Sequence, residues 1–275
     1  MQMSTKLLLL VGLLVLSSCT NPSDAAINVV VGTPTGAPPA PVNYVSDANC
    51  MGAWYMNGAA TETDRTGLGN TMNQTSGTIP TSADVPAGYA GTSRDFELGD
   101  SEDLEGDVTS GTELHITTTS LTVVAWIKSE TTDYTSTAHV AGIYDSAGYK
   151  RMYRLGVSTA EKAGFYVSVD GTAYTAILSS TTVADAAWHH IAGVFDNTND
   201  LIHIYVDGSS DGDPVAHVGN ISDETVEFSI GAHSATSAYY DGLMDEVAVF
   251  NRALSAAEIL EIKTTGISGN KGGSD

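Results

Sequence analysis

Apolar residues in this chain come in short runs, separated by clusters of Gly, Asp, Asn, Ser and Thr. Leu121-Thr122-Val123-Val124-Ala125-Trp126-Ile127 is a nearly continuous apolar run of strand length, the pattern of a strand buried on both faces. Phe165-Tyr166-Val167-Ser168-Val169 alternates instead and runs into Asp170-Gly171, a hairpin turn signal. Trp188–Phe195 and Leu201–Val206 flank the turn cluster Asp196–Asp200, and the second of them ends in Asp207-Gly208. Thr225–Gly231 and Leu243–Phe250 predict two further strands. One helix is well specified. Ser255-Ala256-Ala257-Glu258 fits a capping box, and Ile259, Leu260 and Ile262 add an apolar stripe two or three turns long. Many strands, no internal repeat and one late short helix predict an all-β sandwich or jelly roll.

The flanks read differently. Lys6 precedes the apolar run Leu7–Leu16, which is too short to span a bilayer as a helix and reads as an export signal. Leu16-Ser17-Ser18-Cys19 then resembles the lipobox of bacterial lipoproteins, which implies cleavage before Cys19 and a lipid on its sulfur. Thr20 follows, not an Asp that would resemble an inner-membrane retention signal, so the outer membrane or cell surface is expected. Five prolines lie between Thr20 and Ser46. The expected organisation is therefore a signal peptide at 1–18, a lipid-anchored Pro-rich tether at 19–48, the β domain at 49–263 and a flexible Gly-rich tail at 264–275.

Composition narrows the partners. The formal net charge is −22, from 11 basic and 33 acidic residues. Such a chain has no cationic surface to neutralise phosphates, so nucleic acid and docking onto anionic lipid are excluded as expected partners. The acidity fits solubility outside the cell or, more sharply, a need for divalent cations. Cys19 and Cys50 do not form a disulfide framework, and Cys50 is expected as a small buried hydrophobe.

Several segments resemble one family. Trp188–Asp196 is similar to the Trp-His strand of laminin-G-like jelly rolls, and Ile204-Tyr205-Val206-Asp207-Gly208 to their Tyr-Val-Asp-Gly hairpin. Asp241–Ser255 resembles their final strand and helix entry. Leu121–Ile127 resembles an inner strand. Ala53-Trp54-Tyr55 with Asp64–Asn70 resembles the first strand and its Gly/Asn-rich loop. The resemblance covers about Cys50–Lys263. It implies a two-sheet antiparallel jelly roll of the concanavalin A-like lectin/glucanase superfamily, which spans lectins, glucanases, adhesion modules and pentraxin-like proteins.

In that family an acid placed like Asp245 resembles a Ca²⁺ ligand, and Asp64 and Asn70 are the residues expected to complete a structural site. The other reading of Asp245 is a carboxylate that accepts backbone N–H groups or pairs with Arg252 or Arg94. Asp95, Glu97, Asp100, Glu102, Asp103, Glu105 and Asp107 read as a solvated rim or a second cation loop. The Glu-x-Asp-x-x-Glu strand motif that the resemblance implies for a glucanase is missing. Glu102-Asp103-Leu104-Glu105 has the wrong spacing, and Asp245-Glu246 is expected to point to opposite faces. Candidate sugar-stacking residues are Tyr149, Tyr153, Tyr174, Tyr239 and Tyr240, with Tyr239-Tyr240-Asp241 the best cluster; Trp54, Trp126 and Trp188 are expected in the core. The expected protein is a non-catalytic, exported binding lipoprotein for a glycan or another extracellular macromolecule. A structural or adhesion protein is the alternative, and a glycan-active hydrolase comes last.

Overall fold

The computed structural model describes residues 40–58, 60–106, 113–233 and 238–271. The export signal, Cys19, most of the predicted tether and Asp107 therefore lie outside the described residues. In chain order the strands are β1 (Cys50–Trp54), β2 (Thr61–Glu62), β3 (Met72–Ser76), β4 (Thr81–Ser82), β5 (Ser93–Phe96), β6 (Asp103–Gly106), β7 (Leu121–Ser129), β8 (Ala138–Asp145), β9 (Lys150–Val157), β10 (Lys162–Gly171), β11 (Thr175–Thr182), β12 (His189–Asp196), β13 (Leu201–Val206), β14 (Ser209–Ser210), β15 (Val215–Ala216), β16 (Ser229–Ile230) and β17 (Gly242–Phe250). A single α-helix among the described residues, α1 (Ala256–Thr265), follows them. Both halves of its predicted capping box form: the Ser255 hydroxyl accepts from Glu258 N–H, and the Glu258 carboxylate accepts from Ser255 N–H.

The strands make two antiparallel sheets, as the jelly-roll reading requires. The first runs β14-β13-β12-β7-β17-β5-β4, with β1 also on β17 and β15 on β13. The second runs β11-β10-β9-β8-β16-β6-β3-β2. Their inner faces share one core, to which β7 gives Leu121, Val123, Ala125 and Ile127, and β9 gives Tyr153, Leu155 and Val157. At Gly193 of β12 an added Cβ would stand 2.1 Å from the Phe165 ring, so the ring of the opposite sheet can sit there only against glycine. The alternate residues of the first sheet form a second apolar layer: Val124, Ala192, Val194 and Phe250, covered by Ile259 and Ile262 of α1. That cover is why the Leu121–Ile127 run is apolar throughout.

The packed region is longer than the sequence pattern suggested at both ends. Tyr44 lies edge-on to Phe250, its N–H donates to the Ile267 carbonyl at 2.8 Å, and its hydroxyl donates to Glu261 at 2.9 Å. Ile267 is itself fully buried. The packing thus passes the boundaries predicted at Asn49 and Lys263 and takes in Tyr44 and Ile267, because the two flanks roof the second layer together.

β17 carries an irregularity with consequences. Its first residues pair with β5 and its last with β1, while β7 runs along its other side. Between Asp245 and Ala248 the register to β7 shifts, and Glu246 takes a positive φ of 43°. This β-bulge breaks the alternation. Val247 and Val249 enter the inter-sheet core, whereas Asp245 sits opposite Trp126. Asp245 therefore does not share a face with Val247 and Val249, as simple parity implied.

Candidate functional site

β8, β9 and β10 lie side by side in the second sheet. Since Tyr153, Leu155 and Val157 of β9 enter the core, the pleat sends Arg154 to the sheet's other face. The register sets it opposite Tyr166 of β10 and Gly142 of β8. Its guanidinium carbon lies 4.2 Å from the Tyr144 ring centroid and 4.5 Å from that of Tyr166, so tyrosines from both neighbouring strands flank it. Arg151, three residues earlier, is 5.3 Å from the Tyr149 ring and 5.9 Å from Tyr174, and it donates to the carbonyls of Ser146 and Thr172. Ser136, Thr137, Tyr144, His233 and Ala238 complete a cleft of about 210 Å³ with Arg151, Arg154 and Tyr174. Tyr174 in its lining is 52 % exposed, and Tyr149, whose ring stands against Arg151, is 61 % exposed.

The charge in this cleft comes from the arginines. Burial drives His139 well below the usual imidazole range, and it lowers His233 to about 4, so both rings are neutral at pH 7. Burial also lowers Arg154, yet a guanidinium stays protonated at any working pH. Asp145, the acid that His233 feels, spends its Oδ1 on the N–H groups of Ala147 and Gly148.

Beside this cleft lies a second, of about 280 Å³, lined by Glu105, Asp145, Lys150, Thr225, Val226, Glu227 and Ser229. Burial raises Glu105 to about 7, helped by the nearby charges of Asp103 and Glu227.

The predicted site residues are dispersed. Tyr240 is fully buried, stacked on Tyr134 at 6.4 Å between ring centroids, with its hydroxyl donating to the Leu243 carbonyl. It is core, not a ligand contact, because the chain turns it inward on entering β17; Tyr239 and Asp241 beside it are half-buried. Tyr153 is also core, its hydroxyl donating to Leu114. Trp54 and Trp126 are buried as expected. Trp188 is only half-buried, donates its Nε1–H to Asp84 at 2.8 Å, and lines a surface cleft with Trp126, Asp207, Lys263 and Lys271.

Asp64 and Asn70 close their own loop. Asp64 Oδ1 accepts from the N–H groups of Ala53 and Thr66 and from the Thr66 hydroxyl, and Oδ2 accepts from Asn70 N–H. Asn70 donates its amide to the Met51 carbonyl. Donors surround the Asp64 carboxylate where a cation would need its lone pairs, so these two residues do not fit a calcium site with Asp245. Asp245 Oδ1 accepts from Glu246 N–H at 2.8 Å, and its Oδ2 is buried without a partner. Arg252 pairs with Asp47 and Glu258, and Arg94 with Glu62, so neither arginine serves Asp245. Asp245 and Glu246 do not point to opposite faces: both act on Tyr89, and Glu246 accepts from Ile267 N–H, since the bulge turns both toward the outer layer. Among the described residues the acids that converge within 4.8 Å are Asp95, Glu97 and Glu130, of which only Asp95 and Glu97 belong to the acidic run. Glu102 and Asp103 of that run are buried, not rim residues. Cys50 is a buried free thiol, raised to about 12 by burial.

The arginines escaped sequence reasoning. Lys150, Arg151 and Arg154 sit within five residues of a chain that has 11 basic residues in all, and that concentration was the available signal.

A family profile described as the concanavalin A-like lectin/glucanases superfamily matches residues 101–260. The chain belongs to this superfamily. Solved structures agree on the superfamily fold. The binding domain of Paraclostridial Mosquitocidal Protein 1 is 11 % identical, with a TM-score of 0.62, over 80 % of this chain and 52 % of its own. The Botulinum Neurotoxin Type G receptor binding domain is 12 % identical, with a TM-score of 0.58, over 79 % and 51 %. Domain 4 of AbnA, an extracellular arabinanase from Geobacillus stearothermophilus in complex with arabinotriose, is 15 % identical, with a TM-score of 0.60, over 78 % and 98 %. The chain thus spans about half the length of the toxin binding domains and nearly all of the arabinanase domain. No curated protein matches the sequence.

Proposed function

We propose that this superfamily member is a non-catalytic extracytoplasmic binding protein that holds a saccharide in the Tyr149–Tyr174–Arg151 cleft of the second sheet. The observation that carries the reading is the pair of exposed tyrosines beside a polar floor. Aromatic faces stack on the apolar faces of sugar rings, while a few fixed polar groups choose the orientation. The fold shared with a domain solved with arabinotriose, and with toxin binding domains, supports binding as the role. The missing Glu-x-Asp-x-x-Glu strand motif argues against glucanase-type hydrolysis.

The test is calorimetric titration with a panel of neutral and acidic oligosaccharides. Tyr174→Ala is expected to weaken the best binder at least about tenfold, or 1.4 kcal/mol, with the melting temperature unchanged, because Tyr174 is exposed. If no saccharide binds the intact protein, the reading fails. A second reading would then lead, contact with another protein. It is favoured by Val218, 74 % exposed, and by exposed Val169, which share a surface cleft with Tyr174.

The proposal places this domain outside the cytoplasm on a lipid carried by Cys19, on the strength of the Met1–Cys19 sequence. Cys19→Ser is expected to move the protein from the membrane to the soluble fraction and to block signal cleavage. Unchanged fractionation removes the anchor from the proposal.

A further inference from the structure

Arg154 is only 6 % exposed, and its Nε–H is buried without a partner. Among the described residues no carboxylate lies within ion-pair distance of it, although the chain has 33 acids. Asp145, the acid that His233 of the cleft feels, is engaged in its own turn. A guanidinium taken out of water without a counter-ion is costly, and the faces of Tyr144 and Tyr166 offset only part of that cost. The remaining exposed edge of Arg154 opens on the saccharide cleft.

We infer that Arg154 is an anion-recognising floor for this cleft, and that the saccharide held there carries an oxyanion, either a carboxylate or a sulfate ester. The inference rests on the saccharide reading of the cleft and names the chemical class that the reading leaves open. A guanidinium held between two rings has its fork pre-oriented, and a planar carboxylate or the oxygens of a sulfate can accept from it in two places. Arg151, at the rim, adds a second cation. A neutral sugar would leave the buried charge without its partner, so the site discriminates by the presence of the anion. The protein's net charge of −22 repels polyanions at long range. Salt screens that repulsion more than it screens the buried contact, so affinity should hold or rise as salt is added.

The experiment titrates the full chain with matched pairs: tetragalacturonate and its methyl ester, sialyllactose and lactose, dextran sulfate and dextran. At least one acidic member is expected to bind about tenfold or more tighter than its neutral partner. Arg154→Met should abolish that preference while the fold, read by circular dichroism, is retained, since the change removes an unpaired buried charge. Arg151→Gln should reduce the preference by a smaller factor. If Arg154→Met does not fold, Arg154→Lys tests the same point, because it keeps the charge and loses the planar fork. Preference confined to the uronate or sialyl pair identifies a carboxylate, and preference confined to dextran sulfate identifies a sulfate ester. Equal affinity within every pair, or a preference that survives the Arg154 variants, overturns the inference and leaves the saccharide reading standing. Absence of binding to every saccharide overturns both.

Discussion

Replacing Asp245 with Asn is expected to remove a contribution that falls by about 4 kcal/mol as pH rises from 5 to 8, so the variant gains stability relative to the parent across that range. Burial, then the charge of Glu246, raises the Asp245 carboxyl to about 9, from an ordinary value of 3.8. Between those values the folded state holds a proton that the unfolded chain has released. The contribution of this group therefore falls as pH rises through this window, and its loss is complete only above about pH 9. One such group costs about 1.4 kcal/mol per pH unit, or about 4 kcal/mol from pH 5 to 8. Asn cannot titrate, yet it keeps the Oδ1 that accepts from Glu246 N–H. Urea unfolding of both proteins at each pH checks this. Parallel slopes would show that another group, such as Glu105, governs the limb. The same samples decide calcium: an Asp245-held ion would raise the melting temperature of the parent and not of the Asn variant.

Breaking the ion pair between the sheets is expected to cost about 3–5 kcal/mol. Arg94 of β5 donates from Nε to Glu62 of β2 at 2.7 Å and from Nη1 to the Ile79 carbonyl at 2.6 Å, and both side chains are almost wholly buried. Glu62 remains raised above its ordinary value despite Arg94, because burial outweighs the attraction. Arg94→Met leaves that carboxyl buried without its cation, whereas Glu62→Gln in the same molecule takes the charge away. The double variant should therefore recover at least about 2 kcal/mol of the single variant's loss. A single-variant loss below about 1 kcal/mol, measured by urea unfolding, would show that the pair does not hold the sheets together.

The two predictions bear on how the protein can bind at all. The Tyr144–Arg154–Tyr166 stack depends on the register of β8, β9 and β10, and that register depends on the inner faces packing against the other sheet. A variant that loosens the core should weaken binding without touching the cleft, so stability must be measured alongside every affinity.

Strand patterning, turn residues and the capping box were enough to read an all-β sandwich, the Leu121–Ile127 strand and α1 from the sequence. These are local signals: the pleat has a period of two, a cap spans four residues, and Asp-Gly makes its own turn. The bulge at Asp245–Glu246 is not local, since it depends on β17 changing partners from β5 to β1 beside an uninterrupted β7. Nor could the sequence say that Tyr240 turns into the core while Tyr149 and Tyr174 remain outside, because all three stand near turns. The cleft unites Ser136, Tyr144, Arg151, Arg154, Tyr174 and His233, which span nearly a hundred positions along the chain. What the sequence determined by itself is local, the strand-length apolar runs, the turns between them and the capped helix, and it did not mark the Lys150–Val157 strand or the face that Arg154 takes. Only the tertiary structure decided what stands beside Arg154 there, because the neighbours of a strand residue are set by pairing across the sheet, over distances that no short pattern encodes.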